Sequence, residues 1–207
     1  MVLSAGLRKT LEAARQLGFL GPGPIEGQYG HARDLAGAVG EFQGSMLDLG
    51  SGGGIPGLVL ADEWPAAVVT LLDSQRRRCA FLTAAVSDLD LADRVRVVCG
   101  RAEVLARVEH LRAQFDLVVA RSFASPATTA ECAVGFLRVG GALVVSEPPD
   151  AEGTAARWDP DGMAQLGFEA VVALRRGTAG AVRAVLATEP AERWPRRDGV
   201  PSKRPLW

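Results

Sequence analysis

The segment Met46-Leu47-Asp48-Leu49-Gly50-Ser51-Gly52-Gly53-Gly54-Ile55-Pro56-Gly57 decides how the rest of the chain is read. An apolar run ends in an acid, breaks into glycines and restarts at a proline followed by apolar residues. That is the pattern of a buried strand turning sharply into a helix. Glycine reaches backbone angles other residues avoid and leaves no side chain between main chain and ligand. Proline suits the first turn of the new helix, where its missing N–H is no loss. The N–H groups exposed at such a turn make a site for part of a nucleotide-like cofactor.

Beyond this turn, short apolar runs alternate with helical segments. The runs are 46–50, 68–73, 95–98, 115–120 and 142–145. Between them Cys79, Leu82, Val86 and Leu89 step by three and four along one helix face, and Pro126–Leu137 reads as another helix with Ser125 as its N-cap. Near-continuous apolar strands separated by helices predict a parallel sheet covered on both faces. The last two runs, Phe168–Leu174 and Val182–Thr188, are joined by Arg175-Arg176-Gly177-Thr178-Ala179-Gly180, too short for a helix, and predict an antiparallel hairpin. The expected fold is α/β: a doubly wound, Rossmann-like, mostly parallel seven-stranded sheet with an antiparallel C-terminal hairpin.

Before the first strand, Leu3, Leu7, Leu11, Ala14 and Leu17 mark an amphipathic helix, Gly21-Pro22-Gly23-Pro24 a loop, and His31–Val39 a second short helix. One domain is expected over 1–207: a helical extension at 1–44, the core at 45–190 and a basic tail at 191–207. The chain has 207 residues and a net charge of −1, so no global field marks it for nucleic acid or membrane. Cys79, Cys99 and Cys132 form no C-x-x-C pair and read as reduced, buried small hydrophobes of a cytoplasmic protein. The isolated His31 and His110 give no metal cluster, and no apolar run reaches membrane-spanning length.

Gly52-x-Gly54-x-x-Gly57, with Asp73 21 residues past Gly52, matches the dinucleotide fingerprint, but the same turn serves several nucleotides. Charge separates them. Asp48, just before the glycines, would repel a pyrophosphate and attract the sulfonium and ammonium of S-adenosylmethionine. Its simpler role is to bond loop N–H groups. Asp73, at the end of the second strand, can accept from both ribose hydroxyls or cap the next helix. Glu103 can face the adenine edge or complement a helix dipole. Arg121, at the carboxyl end of the fourth strand, needs a partner: the cofactor carboxylate, a phosphate, the substrate or a loop acid. In the tail, Arg193, Arg196, Arg197, Lys203 and Arg204 stand against Asp198 and suit phosphate contact.

The glycine turn ending in Ile55-Pro56-Gly57, Leu72-Asp73-Ser74-x-x-x-Arg78, Arg101-Ala102-Glu103, Ala120-Arg121-Ser122-Phe123-Ala124 and the tail Pro195-Arg196-Arg197-x-Gly199-x-Pro201-x-Lys203-x-Pro205-Leu206 resemble the bacterial small-subunit rRNA guanine-N7 methyltransferases, RsmG or GidB. The resemblance implies S-adenosylmethionine as donor and a guanine N7 of 16S rRNA, free or in the small ribosomal subunit, as acceptor. By motif position it implies Gly50, Ile55, Ala102, Glu103 and Arg121 as cofactor contacts, beside Asp48, Gly52, Gly54 and Asp73 from the turn itself. Arg196, Arg197, Lys203 and Arg204 are then the expected RNA contacts. No general base is expected, because guanine N7 offers a free lone pair. Three features depart from the family. Only 44 residues precede the first strand. Ser146-Glu147 stands where a Lys-Gly step is usual, placing an acid at the active face where it would repel RNA. The N-terminal Trp-Asn and Asn-Leu-Thr elements are missing. A diverged paralogue acting on another RNA or a small molecule, and a non-catalytic S-adenosylmethionine-binding protein, are the alternatives.

Overall fold

The computed structural model describes residues 3–147 and 154–207. In chain order its elements are α1 (Ala5–Gln16), α2 (Ile25–Val39), β1 (Ser45–Leu49), α3 (Gly57–Glu63), β2 (Val68–Asp73), α4 (Arg76–Asp88), β3 (Val95–Cys99), α5 (Ala102–Leu105), β4 (Phe115–Arg121), α6 (Pro126–Val134), β5 (Leu137–Glu147), a 3-10 turn (Thr154–Arg157), α7 (Pro160–Leu166), β6 (Val172–Arg176), β7 (Ala179–Val185) and α8 (Val200–Lys203).

Seven strands form one sheet in the order β3-β2-β1-β4-β5-β7-β6. The first five run parallel and β7 is antiparallel to both β5 and β6. The order reverses between β1 and β4, and such a reversal opens a crevice at the carboxyl ends of the strands. Side chains alternate across the sheet with period two. Met46, Val69, Leu71, Val119 and Val144 join one buried layer with α1–α3, whereas Leu47, Leu49, Leu72, Val118 and Leu143 join the other, with α6, Trp158 and Trp194. Helices on both faces explain why these strands read as unbroken apolar runs.

The Ser125 cap agrees with the sequence. Ser4 caps α1 and Ser125 caps α6 through their side chains. Four local expectations are corrected. The helix expected over Pro126–Leu137 ends at Val134, and Leu137 opens β5. The second helix starts at Ile25 rather than His31. The hairpin turns at Gly177-Thr178, so Arg175 and Arg176 lie within a strand. Their charge suggested a loop, but β6 is an edge strand whose outward side chains meet water. Finally, α3 begins at Gly57, with Pro56 as the preceding residue after a cis Ile55–Pro56 bond.

The cysteine expectation also changes. Cys79 and Cys99 are joined as a disulfide, with Cα atoms 5.8 Å apart, while Cys132 is free and buried. Cys99 pairs with Asp73 in the sheet register, and the first turn of α4 sets Cys79 over the same strand end. Proximity here comes from sheet register, which the spacing of cysteines along the chain does not encode. No helix among the described residues is long and apolar enough to cross a membrane.

Candidate active site

The glycine turn folds over the end of β1. Gly50, Gly52 and Gly54 all have positive φ (79°, 55° and 94°), in the region that glycine alone enters freely. At Gly50 space is as restrictive as conformation, since a Cβ there would lie 2.6 Å from the Phe123 ring. Asp73 pins the turn to the next strand: its Oδ2 accepts from Gly52 N–H at 2.9 Å, and its Oδ1 accepts from Gln75 N–H at 2.8 Å, ahead of α4. The carboxylate thus holds the loop and starts the helix, and its remaining lone pairs border the crevice.

Asp48 lies elsewhere than expected. It points to the same face as Met46, beneath the glycines, and is wholly buried. Its Oδ2 accepts from Gly57 N–H at 3.0 Å, while its Oδ1 has no hydrogen-bond partner among the described residues. Burial pushes its pKa up to about 7, against the opposing pull of the Ser51 hydroxyl, the Gly57 N–H and, more weakly, Arg121. An acid below the turn acts on a ligand through its field rather than by lining the open cleft.

Three cavities meet at the carboxyl ends of β1 and β4. The first, about 220 Å³, is bordered by Gly50, Asp73, Arg78, Ala102, Glu103 and Phe123. The second, about 260 Å³, is bordered by Phe19, Gln28, Gly50, Gly52, Ile55 and Arg121. The third, about 390 Å³, lies across β4 and shares Arg121, Ser122 and Phe123 with its neighbours. Ser122, at the junction, has φ of 53°, a strained value for a side-chain-bearing residue of the kind that concentrates at functional sites. Gly54 lies under the turn beside Leu58 and borders none of these three cavities.

Arg121 is half-buried and makes no hydrogen bond or ion pair to another protein group among the described residues. Burial lowers its pKa, partly offset by the field of Asp48. A desolvated cation without a close partner is costly, and an anionic ligand group would repay it. Glu103 is buried at the start of α5, where Arg101 and Gly199 N–H donate to its Oε1 at 2.9 and 3.1 Å.

The tail is a strap rather than a free end. Trp194 is buried, Arg107 donates to the carbonyls of Arg193 and Pro195, and Thr128 Oγ1 donates to the Pro201 carbonyl at 3.1 Å. Arg196, expected to face phosphate, turns inward: it donates to both carboxylate oxygens of the fully buried Glu131, at 2.8 and 2.6 Å. Arg197, Lys203 and Arg204 are exposed on the outer face, while Ser202 borders the first cavity.

Glu147 also departs from expectation. It is 5% exposed, accepts from Trp158 Nε1 at 2.8 Å and pairs with Arg157, so it presents no bare charge to solvent. Beside it Ser146 Oγ meets His31 Nε2 at 2.7 Å. Burial and then Arg121 lower the His31 pKa from its usual value, against the pull of Thr178 and Asp34. Sequence reasoning passed over His31, Arg157 and Trp158, because elements distant in the chain bring them together. Arg78 lies 3.7 Å from Asp73 Oδ2 and borders the first two cavities. Among the described residues, no three His, Cys, Asp or Glu side chains cluster as metal ligands.

Residues 34–152 match the family described as rRNA small subunit methyltransferase G. The chain belongs to that family. It is 37% identical over 172 residues to the family member of Moorella thermoacetica, covering 78% of this chain and 69% of that protein. It is 38% identical over 170 residues to that of Thermotoga neapolitana, covering 80% and 72%. A solved O-methyltransferase from Bacillus cereus in complex with SAH shares the fold, with a TM-score of 0.64 at 18% identity over 90% of this chain and 92% of its own. Like its family, the chain is a methyltransferase that uses S-adenosylmethionine. The site suits that cofactor on its own terms, with a cradle that a Cβ would obstruct, a buried acid with one orphaned oxygen and an arginine lacking an anion.

Proposed function

We propose that this protein methylates N7 of a guanine in 16S rRNA. The observation that carries the reading is Arg121, a half-buried arginine with no ion pair among the described residues that borders both the second and the third cavity, in a chain of the rRNA small subunit methyltransferase G family. Asp73, Ala102 and Glu103 hold the nucleoside end of the cofactor. Gly50, Gly52 and Ile55 form the floor beneath its amino-acid end, and Arg121 takes its carboxylate. Asp48 and Gly54 support the turn from below.

S-adenosylmethionine supplies an electrophilic methyl group. Held by these residues, it would pass that methyl to the guanine N7 lone pair, with the C–S bonding pair going to sulfur and no proton leaving the acceptor. The protein therefore needs no general base; it aligns donor and acceptor and excludes water, and alignment alone can supply much of the acceleration. Arg197, Lys203 and Arg204 contact the RNA backbone from the outer face of the strap, and Arg196 holds the strap in place. The partner is 16S rRNA or the small subunit, which sets the protein in the cytoplasm. There the Cys79–Cys99 link is exposed to a reducing thiol pool.

The test is transfer of labelled methyl from S-adenosylmethionine to small subunits, or to 16S rRNA, that lack the mark. Label in the RNA, released as 7-methylguanosine, supports the reading. A protein that binds the donor but labels no RNA is a cofactor-binding protein or acts on another substrate.

A further inference from the structure

The third cavity, across β4 from the cofactor cavities, has an unusual end wall. Ser146 and Glu147 close β5 one strand away from Arg121, which pairs with Ser146 in the sheet register. The Glu147 carboxylate is held by the Trp158 indole N–H and by Arg157, and Ser146 is held by His31. Two bonds use only part of the carboxylate's capacity, since two oxygens offer about four lone-pair sites. Phe123 and Trp158 supply flat apolar surface on the same cavity. At about 390 Å³ there is room for a purine.

We propose that this cavity receives the acceptor base and selects guanine through Glu147, which accepts from the N1–H and 2-amino donors of its Watson–Crick edge. This rests on the guanine reading above and assigns its specificity to a residue. The chemistry of the bases supports it. Guanine alone among the four RNA bases carries two adjacent donors on that edge. Adenine and cytosine set an amino donor beside a ring acceptor, and uracil flanks its single N–H with two carbonyls. A fixed carboxylate therefore repels the wrong edges and pairs with one. Phosphate is disfavoured in the same place, because Arg157 is committed to Glu147, Arg121 is assigned to the cofactor carboxylate and Glu147 repels a second anion. Methylation adds further weight. N7 transfer leaves a positive charge on the ring and makes N1–H more acidic, so a bond from N1–H to an anion strengthens as the reaction proceeds. Such differential stabilisation accelerates a step. The Ser146-Glu147 pair, which looked hostile to RNA, becomes the element that recognises it.

The experiment compares GMP, IMP and AMP as probes at millimolar concentration, on full-length protein saturated with S-adenosylhomocysteine, by titration calorimetry or ligand-observed NMR. IMP keeps N1–H but lacks the 2-amino group, and AMP lacks both donors. The expected order is GMP, then IMP, then AMP, with GMP about tenfold or more tighter than AMP, in line with the discrimination of a paired base edge. In Glu147→Gln the GMP preference falls to threefold or less, while the melting temperature and S-adenosylhomocysteine affinity report whether the fold is intact. A role confined to tying β5 to the 3-10 turn would move the melting temperature and leave the ranking alone. Wild-type protein that binds GMP no tighter than AMP overturns the proposal even if the variant does not fold, and so does a folded Glu147→Gln that keeps the wild-type ranking. Failure of the rRNA assay with this ranking intact would reject 16S rRNA as acceptor and leave guanine recognition standing.

Discussion

Arg196 and Glu131 face each other across the seam between the tail and α6, with the guanidinium on both oxygens of a carboxylate that has no solvent exposure. The Arg196 backbone N–H donates to the same carboxylate at 2.8 Å. This pair secures the strap against the body of the protein. Arg196→Ala strands a buried negative charge and is expected to cost about 2–4 kcal/mol, the lower end reflecting the partial exposure of Arg196. Arg196→Lys recovers little, because an ammonium cannot reproduce the fork. Thermal and urea unfolding of the two variants measure it.

The outer cations of the same strap behave differently. Arg197, Lys203 and Arg204 are exposed. Replacing all three by alanine should leave stability and cofactor affinity unchanged within error. It should weaken RNA binding and reduce the slope of log K against log salt by about 2–3. Salt titrations of wild type and variant on the same RNA check this, and an unchanged slope would remove the three residues from the interface.

For Arg121 the expected signature is a split between binding and stability. Because it has no ion pair with the described residues, Arg121→Ala should leave the melting temperature unchanged or slightly raised. The same variant should weaken S-adenosylmethionine binding about ten- to a hundredfold, the worth of a hydrogen bond to a charged group. Calorimetric titration beside a thermal melt separates the two.

Asp48 gives a pH dependence of definite sign. Its folded pKa of about 7 lies above the ordinary value of 3.8, so between these values the folded state holds a proton that the unfolded state releases. Stability therefore falls as pH rises from about 4 to 7, by at most about 4 kcal/mol at roughly 1.4 per unit, and Asp48→Asn should remove that fall. The cationic cofactor favours the ionised acid, so its affinity should rise over the same window in wild type and stay flat in the variant. Melts and titrations at several pH values read both.

The contrast between Asp48 and Glu147 explains what the sequence could and could not reveal. Strand ends, the glycine turn and the Ser125 cap were legible because apolar runs and backbone chemistry are local properties. Asp48 was legible as important, yet its orientation depended on strand phase: it shares a face with Met46 and ends beneath the loop. Glu147 was misread as an exposed acid because its partners, Arg157 and Trp158, reach it only after the chain has turned back. Arg196 was misread for the same reason, its carboxylate partner lying 65 residues earlier. The Cys79–Cys99 link likewise reflects the register of Asp73 with Cys99 and the entry of α4, neither of which cysteine spacing encodes. Local chemistry predicted the frame, and tertiary pairing decided which charges remained available.

The most direct test is to incubate the protein with tritiated S-adenosylmethionine and small subunits lacking the methyl mark, then digest the RNA to nucleosides. Stoichiometric label that co-elutes with 7-methylguanosine, and that falls in Arg121→Ala at limiting donor, is the predicted result. Label in another nucleoside, or no label in RNA from protein that binds the donor, would contradict it.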